Sequence, residues 1–169
     1  MLTIDDSLTD IVLEVSKCLH ENNLSLVSAE SCTGGWVAKK MTDIAGSSAI
    51  FDRGFVTYSN QAKQEMLNVS EDTLNNYGAV SEEVVKQMVE GAIKYSQADI
   101  AVSISGVAGP GGGTKDKPVG MVCFGWKLRG DTATAKTFFL EGDRNSIRKQ
   151  SVKCSLLGAS KLIEGITIV

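Results

Sequence analysis

Leu24-Ser25-Leu26-Val27-Ser28-Ala29-Glu30-Ser31-Cys32-Thr33-Gly34-Gly35 carries a short apolar run into a polar turn and a glycine pair. Leu24 to Ala29 reads as a short buried strand. A helical pattern opens at about Thr33 and continues to Met41, with Trp36 and Val37 near its start. Unpaired N–H groups and the positive end of the dipole at a helix start favour developing negative charge, so a Ser or Cys there can serve as a nucleophile beside an oxyanion site. Ser and Thr are also the favoured N-cap residues. On these residues alone, Ser31 and Cys32 remain rival nucleophiles, and capping remains the plainer role for the turn.

Working outward, Leu8, Ile11, Val12, Val15 and Leu19 repeat at helical spacing behind Ser7, with Asp10 three residues on. The loop Asp43 to Ser48 leads into an apolar and aromatic strand, Ile50 to Tyr58, interrupted at Asp52-Arg53-Gly54. Ser59 or Asn60 can cap a short helix over Gln61 to Leu67. Ser81 opens the strongest helix, whose inward face is Val84, Val85, Met88, Val89, Ala92 and Ile93. Asp99 to Ile104 forms a third strand and runs into the glycine-rich segment Ser105 to Thr114. Val119 to Leu128 and Thr132 to Leu140 are strands joined across Arg129-Gly130-Asp131, a connection short enough to predict an antiparallel hairpin. A last helix turns Ile147, Val152, Leu156, Ala159 and Ile163 inward. Alternating helices and strands followed by a hairpin predict one α/β domain over residues 1–169, a three-layer α/β/α sandwich with a mixed sheet.

Composition narrows the function. The 169 residues are 43% hydrophobic and 22% charged, as in a globular chain, and the net charge of −3 gives no electrostatic reason to expect nucleic acid or an anionic membrane as partner. No apolar run is long enough to span a membrane, and the N-terminal Met1-Leu2-Thr3-Ile4-Asp5-Asp6 has acids where a signal peptide needs bases, so a cytoplasmic location is expected. Cys18, Cys32, Cys123 and Cys154 form no C-x-x-C pair. His20 is the single histidine, at the polar end of the first helix, which removes multi-histidine metal sites and leaves a hydroxyl or thiol needing another base. Neither metal nor cofactor is expected.

Further candidates follow from the same logic. The glycine-rich segment has neither the lysine and hydroxyl of a phosphate-binding P-loop nor the following helix of a dinucleotide fingerprint, yet its amides can line an anion site. Tyr58 falls at a strand end and Lys63 in the first turn of the next helix, where a dry setting pushes a lysine toward its neutral, basic form. Arg144 and Arg148, at the head of the last helix, are surface charges or an anion clamp.

Taken together, Ala29 to Gly35 (AESCTGG), Gly54-Phe55-Val56-Thr57-Tyr58 with Asn60 and Lys63, Ser105 to Thr114 (SGVAGPGGGT), Lys117-Pro118-Val119-Gly120, and Gly142-Asp143-Arg144 with Arg148 resemble the CinA C-terminal family in its stand-alone form. The resemblance implies hydrolysis of the carboxamide of nicotinamide mononucleotide to nicotinate mononucleotide and ammonia by a Ser/Lys dyad. It implies Ser31 as nucleophile and Lys63 as general base, with Tyr58 orienting the dyad or the amide. Backbone N–H groups of Thr33, Gly34 and Gly35 would form the oxyanion hole. Ser48, Ser105, Gly106, Gly109, Gly111, Gly112 and Thr114 would line the substrate, and Arg144 or Arg148 would hold its phosphate. It also implies a homo-oligomer, dimeric or higher. The alternative is a catalytically silent nucleotide-binding or interaction module of the same fold.

Overall fold

The computed structural model describes residues 3–168. Met1, Leu2 and Val169, which belong to the expected 1–169 domain and in part to the stretch read for a leader, lie outside the described residues. The chain runs α1 (Leu8–Glu21), β1 (Leu26–Glu30), α2 (Trp36–Thr42), a 3-10 turn (Ser47–Ala49), β2 (Phe51–Val56), α3 (Asn60–Leu67), α4 (Glu71–Tyr77), α5 (Glu82–Lys94), β3 (Ile100–Gly106), β4 (Met121–Leu128), β5 (Thr134–Phe139) and α6 (Arg144–Ile163). The sheet order is β2-β1-β3-β4-β5. Strand β1 lies parallel to both β2 and β3, the expected late hairpin makes β4-β5 antiparallel, and β3-β4 is antiparallel as well. The sheet is therefore mixed, as the pattern predicts.

Two cores explain the layering, because successive residues of a strand face opposite sides. Leu26, Ile100, Val102, Ile104, Phe124 and Trp126 pack against α1, α2 and α6. Val27, Ala29, Ala101 and Cys123 face α5 and the shorter α3 and α4 on the other side. Close approach of α6 to the sheet depends on Gly158, where an added Cβ would stand 2.3 Å from the Trp126 ring. Trp126 Nε1 also donates to the carbonyl of Ser155 in that helix at 2.8 Å.

Three expectations shift. The helix expected from Thr33 starts at Trp36, because Gly34 (φ +61°) and Gly35 (φ +94°) hold the left-handed conformation and extend the turn. The Asp52-Arg53-Gly54 interruption does not break β2, which is an edge strand and tolerates polar residues facing solvent. Gly54 is there for packing: an added Cβ would lie 2.9 Å from Ala38 Cβ in α2. Helix α4 has no counterpart in the sequence reading. Its seven residues bury only Leu74, too little for a periodic signal, and the Ser70 cap with Glu71 and Asp72 behind it was the available clue.

From β1 the chain passes through α2 to β2 on one side, then crosses back through α3, α4 and α5 to β3 on the other. The crevice between β1 and β3, at the carboxyl ends of these parallel strands, is the topological switch point at which open α/β sheets bind ligands. Thr57, the glycine-rich loop and the head of α6 all emerge at this same edge.

Candidate active site

Ser31 is the first residue past β1, and its N–H extends the β1-β3 ladder by donating to Ile104 O at 3.0 Å. Lys63 is carried by α3, a helix started by the Ser59 hydroxyl, which accepts from Ala62 N. At this position Lys63 points inward in line with Leu67, and only 1% of its surface is exposed. Its Nζ stands 3.0 Å from Ser31 Oγ and donates to Thr57 O at 2.8 Å. Burial pushes its pKa down from 10.5 to about 8, against a smaller opposing effect of Cys32. No carboxylate forms an ion pair with it among the described residues. The structure thus brings together a hydroxyl and an amine whose neutral form is favoured by burial.

Cys32, directly beside the serine, is buried, and burial raises its thiol to about 11. The two neighbours differ in chemistry. Cys32 is held as a protonated thiol, whereas Ser31 already has a base within hydrogen-bond distance.

Beneath this turn lies a residue to which the sequence reading gave no role. Glu30, 1% exposed, accepts from Gly35 N at 3.0 Å, Val37 N at 3.1 Å, Ala38 N at 3.0 Å and Ser28 Oγ at 3.1 Å. Its carboxylate reaches over the turn and caps α2, a task expected of Thr33, whose Oγ1 is buried without a partner. The signal was present as a carboxylate at the end of a buried strand, five residues before amides that need an acceptor. Gly34 N meanwhile donates to Ser31 O at 3.0 Å. The Gly34 and Gly35 amides expected to bind an oxyanion are therefore engaged within the protein. Cys32 N–H and Thr33 N–H have no acceptor on another described residue.

The remaining expected residues divide. Tyr58 sits at the end of β2, 63% exposed, with its hydroxyl 3.3 Å from Arg144 Nη2, and Arg144 Nη1 donates to Gly109 O at 2.7 Å. One guanidinium therefore links the tyrosine to the glycine-rich loop at the mouth of the crevice. Gly106 closes β3 opposite Val122, and Gly109 takes φ +77° beside Val119. Gly111 and Gly112 are exposed in the loop. Thr114 serves the loop's own turn, accepting from Lys117 N through Oγ1 and donating its N–H to Lys117 O. Ser105 is buried and donates to Ala79 O at 2.7 Å, a structural bond and not a wall contact. Ser48 lies in the 3-10 turn before β2, at the opposite end of the sheet and about 20 Å of strand away from Ser31. The structure does not bring it to this site. Arg148 is turned inward onto the backbone of the turn, with Nε donating to Cys32 O at 2.9 Å and Nη2 to Thr33 O at 3.0 Å.

The family model for the CinA C-terminal domain matches residues 8–163. The chain belongs to this family. It is similar to the nicotinamide-nucleotide amidohydrolase PncC of Escherichia coli K12, 52% identical over 153 residues that cover 90% of this chain and 92% of that protein. PncC of Enterobacter agglomerans is 53% identical over 150 residues, covering 88% and 91%. Among solved structures, a CinA superfamily protein from Klebsiella pneumoniae superposes with a TM-score of 0.91 at 34% identity, over 95% of this chain and 99% of that one. The family's fold is the mixed sheet flanked by helices seen here. No helix among the described residues is long and apolar enough to cross a membrane.

Proposed function

We propose that this chain is an amidohydrolase that converts nicotinamide mononucleotide to nicotinate mononucleotide and ammonia, with Ser31 as nucleophile and Lys63 as general base. The observation that carries the reading is the buried Lys63 Nζ, 3.0 Å from Ser31 Oγ and lowered to about 8. The similarity to the PncC amidohydrolases over most of both chains supports the substrate class.

The steps follow from this geometry. Ser31 Oγ attacks the carboxamide carbon while its proton passes to Lys63 Nζ. The carbonyl oxygen becomes an oxyanion, and the amides of Cys32 and Thr33, which have no acceptor on another described residue, are its proposed donors. Lys63 returns the proton to the amide nitrogen, the C–N bond breaks, and ammonia leaves an acyl-serine. Water, deprotonated by Lys63, then attacks the same carbon and releases the carboxylate and Ser31. Tyr58 and Arg144 border the entrance with the glycine-rich loop, so they orient the nucleotide, and Arg144 is the cation available to its phosphate.

Ammonia release from nicotinamide mononucleotide by the purified chain tests the reading. Turnover lost in both Ser31→Ala and Lys63→Ala is the expected result. Saturable nucleotide binding with no ammonia from the unaltered chain would instead establish a silent binding module. The proposal includes one domain, a cytoplasmic location and a homo-oligomer. The last is supported by the unpaired edge of β2, with Val56 45% exposed, and sedimentation would measure it.

A further inference from the structure

We infer that Arg148 is a positioning residue that aims the Thr33 amide of the Ser31 turn at the oxyanion, and not the clamp for the substrate phosphate. This rests on the Ser31/Lys63 reading above and adds a role that reading does not require.

Along 32–38, Gly34 donates to Ser31 O and Trp36 to Thr33 O, while Gly35, Val37 and Ala38 donate to Glu30. Only the N–H groups of Cys32 and Thr33 remain. A trans peptide is planar, with its C=O and N–H pointing in opposite directions, so a held carbonyl fixes the aim of the following amide. The carbonyl that pairs with Cys32 N–H is Ser31 O, held by Gly34 N at 3.0 Å. The carbonyl that pairs with Thr33 N–H is Cys32 O, held by Arg148 Nε at 2.9 Å. The next carbonyl, Thr33 O, accepts from Arg148 Nη2 at 3.0 Å. Each free amide therefore belongs to a peptide plane locked from its far side, and Arg148 locks two consecutive planes with the two donors of one rigid fork.

Two further features fit this role. The guanidinium carbon lies 5.2 Å from the centre of the Trp36 ring, a stacking arrangement that fixes the fork itself. A cation bonded to a carbonyl also polarises that peptide and strengthens its N–H as a donor. Thr33 N–H is thus both aimed and made a better donor. The competing role remains definite. Arg148 and Lys39 line a shallow groove of about 460 Å³ over the outer face of the turn, where an anion could lie.

Steady-state kinetics of Arg148→Gln and Arg148→Lys on nicotinamide mononucleotide and on its phosphate-free nucleoside separate the two. Loss of an aimed donor is expected to lower kcat about 100-fold for Gln, by the same factor on both substrates. The affinity for nicotinate mononucleotide, measured by calorimetry, should stay within about threefold. Lys, which reaches one carbonyl, should recover about a tenth of the lost rate or more. The alkaline rise in rate assigned to Lys63 should keep its midpoint in both variants. The proposal is overturned if either variant raises KM and Kd for the nucleotide at least tenfold while leaving the nucleoside rate unchanged, because that is a phosphate clamp. It is equally overturned if kcat is unaffected. Should Arg148→Gln fail to fold, Arg148→Lys carries the same comparison alone. Activity persisting in Ser31→Ala or Lys63→Ala would overturn the dyad instead, so the two failures are distinguishable.

Discussion

Activity should rise about tenfold per pH unit below pH 8 and level off above it, because Lys63 must be neutral to take the serine proton. With its pKa lowered to about 8, roughly a tenth of the lysine is neutral at pH 7. At its ordinary 10.5, the neutral fraction would be about three in ten thousand. Burial therefore raises the amount of usable base about 300-fold at neutral pH, equivalent to about 3 kcal/mol. The assay is kcat/KM for ammonia release between about pH 6 and about pH 10, at constant ionic strength and with substrate stability controlled. Cys32, raised to about 11, cannot account for an inflection near 8, and the single histidine, His20, is exposed on α1 away from the dyad. A Lys63→Ala variant should lose about 100- to 10,000-fold in rate together with the inflection. A profile that stays flat from pH 6 to pH 9, or an inflection near 8 that survives in Lys63→Ala, would refute the reasoning.

The same burial has a stability consequence. Since the folded pKa lies below the unfolded one, the unfolded chain binds more protons between about pH 8 and pH 10.5, and stability rises with pH across that window. Lys63→Met should abolish that rise and gain up to about 3 kcal/mol below pH 8, less what the lost bond to Thr57 O contributes; urea unfolding at pH 7 and pH 10 measures it. Cys32→Ala should keep kcat within about tenfold while Ser31→Ala loses at least 1,000-fold, and equal losses in the two would reassign the nucleophile. Glu30→Gln turns an amide group toward backbone N–H donors and should cost about 2 kcal/mol or more, read as a fall in the urea midpoint. Gly91→Ala would place a Cβ 2.0 Å from Leu67 O, so α5 and α3 must separate at a cost of at least about 2 kcal/mol. An unchanged melting temperature in that variant would contradict the packing described.

The sequence reading found every strand: β1 and β3 carry buried apolar runs, β4 and β5 a hairpin connection at Gly130, and β2 the apolar and aromatic residues on either side of Asp52-Arg53-Gly54. It found Ser31 and Lys63 through a family resemblance and a rule about dry lysines, not through any local signal linking two residues 32 positions apart. What it could not see were choices made by tertiary packing. Glu30 reads as an ordinary charge until β1 buries it beneath α2, and Arg148 reads as a surface or anion-binding cation until α6 lies beside the turn. Ser48, expected from the resemblance to line the substrate, precedes the N-terminal end of β2, whereas Ser31 follows the C-terminal end of the parallel β1, and only the sheet register reveals that separation. Amide availability is also invisible in a sequence: the Gly34 and Gly35 amides are engaged within the protein, which leaves Cys32 and Thr33 as the proposed oxyanion donors.

The contact between Arg148 and Cys32 O spans 116 residues and ties the serine turn to the last helix of the chain. During synthesis, the serine and lysine emerge from the ribosome long before α6 does. Until α6 packs, the carbonyls of the turn are unheld and one face of the sheet lacks Ile147, Val152, Leu156 and Ala159. With Arg148 in the role proposed, the turn is fully held only once α6 has packed beside it. Any product truncated before α6, by premature termination or by proteolysis, lacks the guanidinium that holds the Cys32 and Thr33 carbonyls.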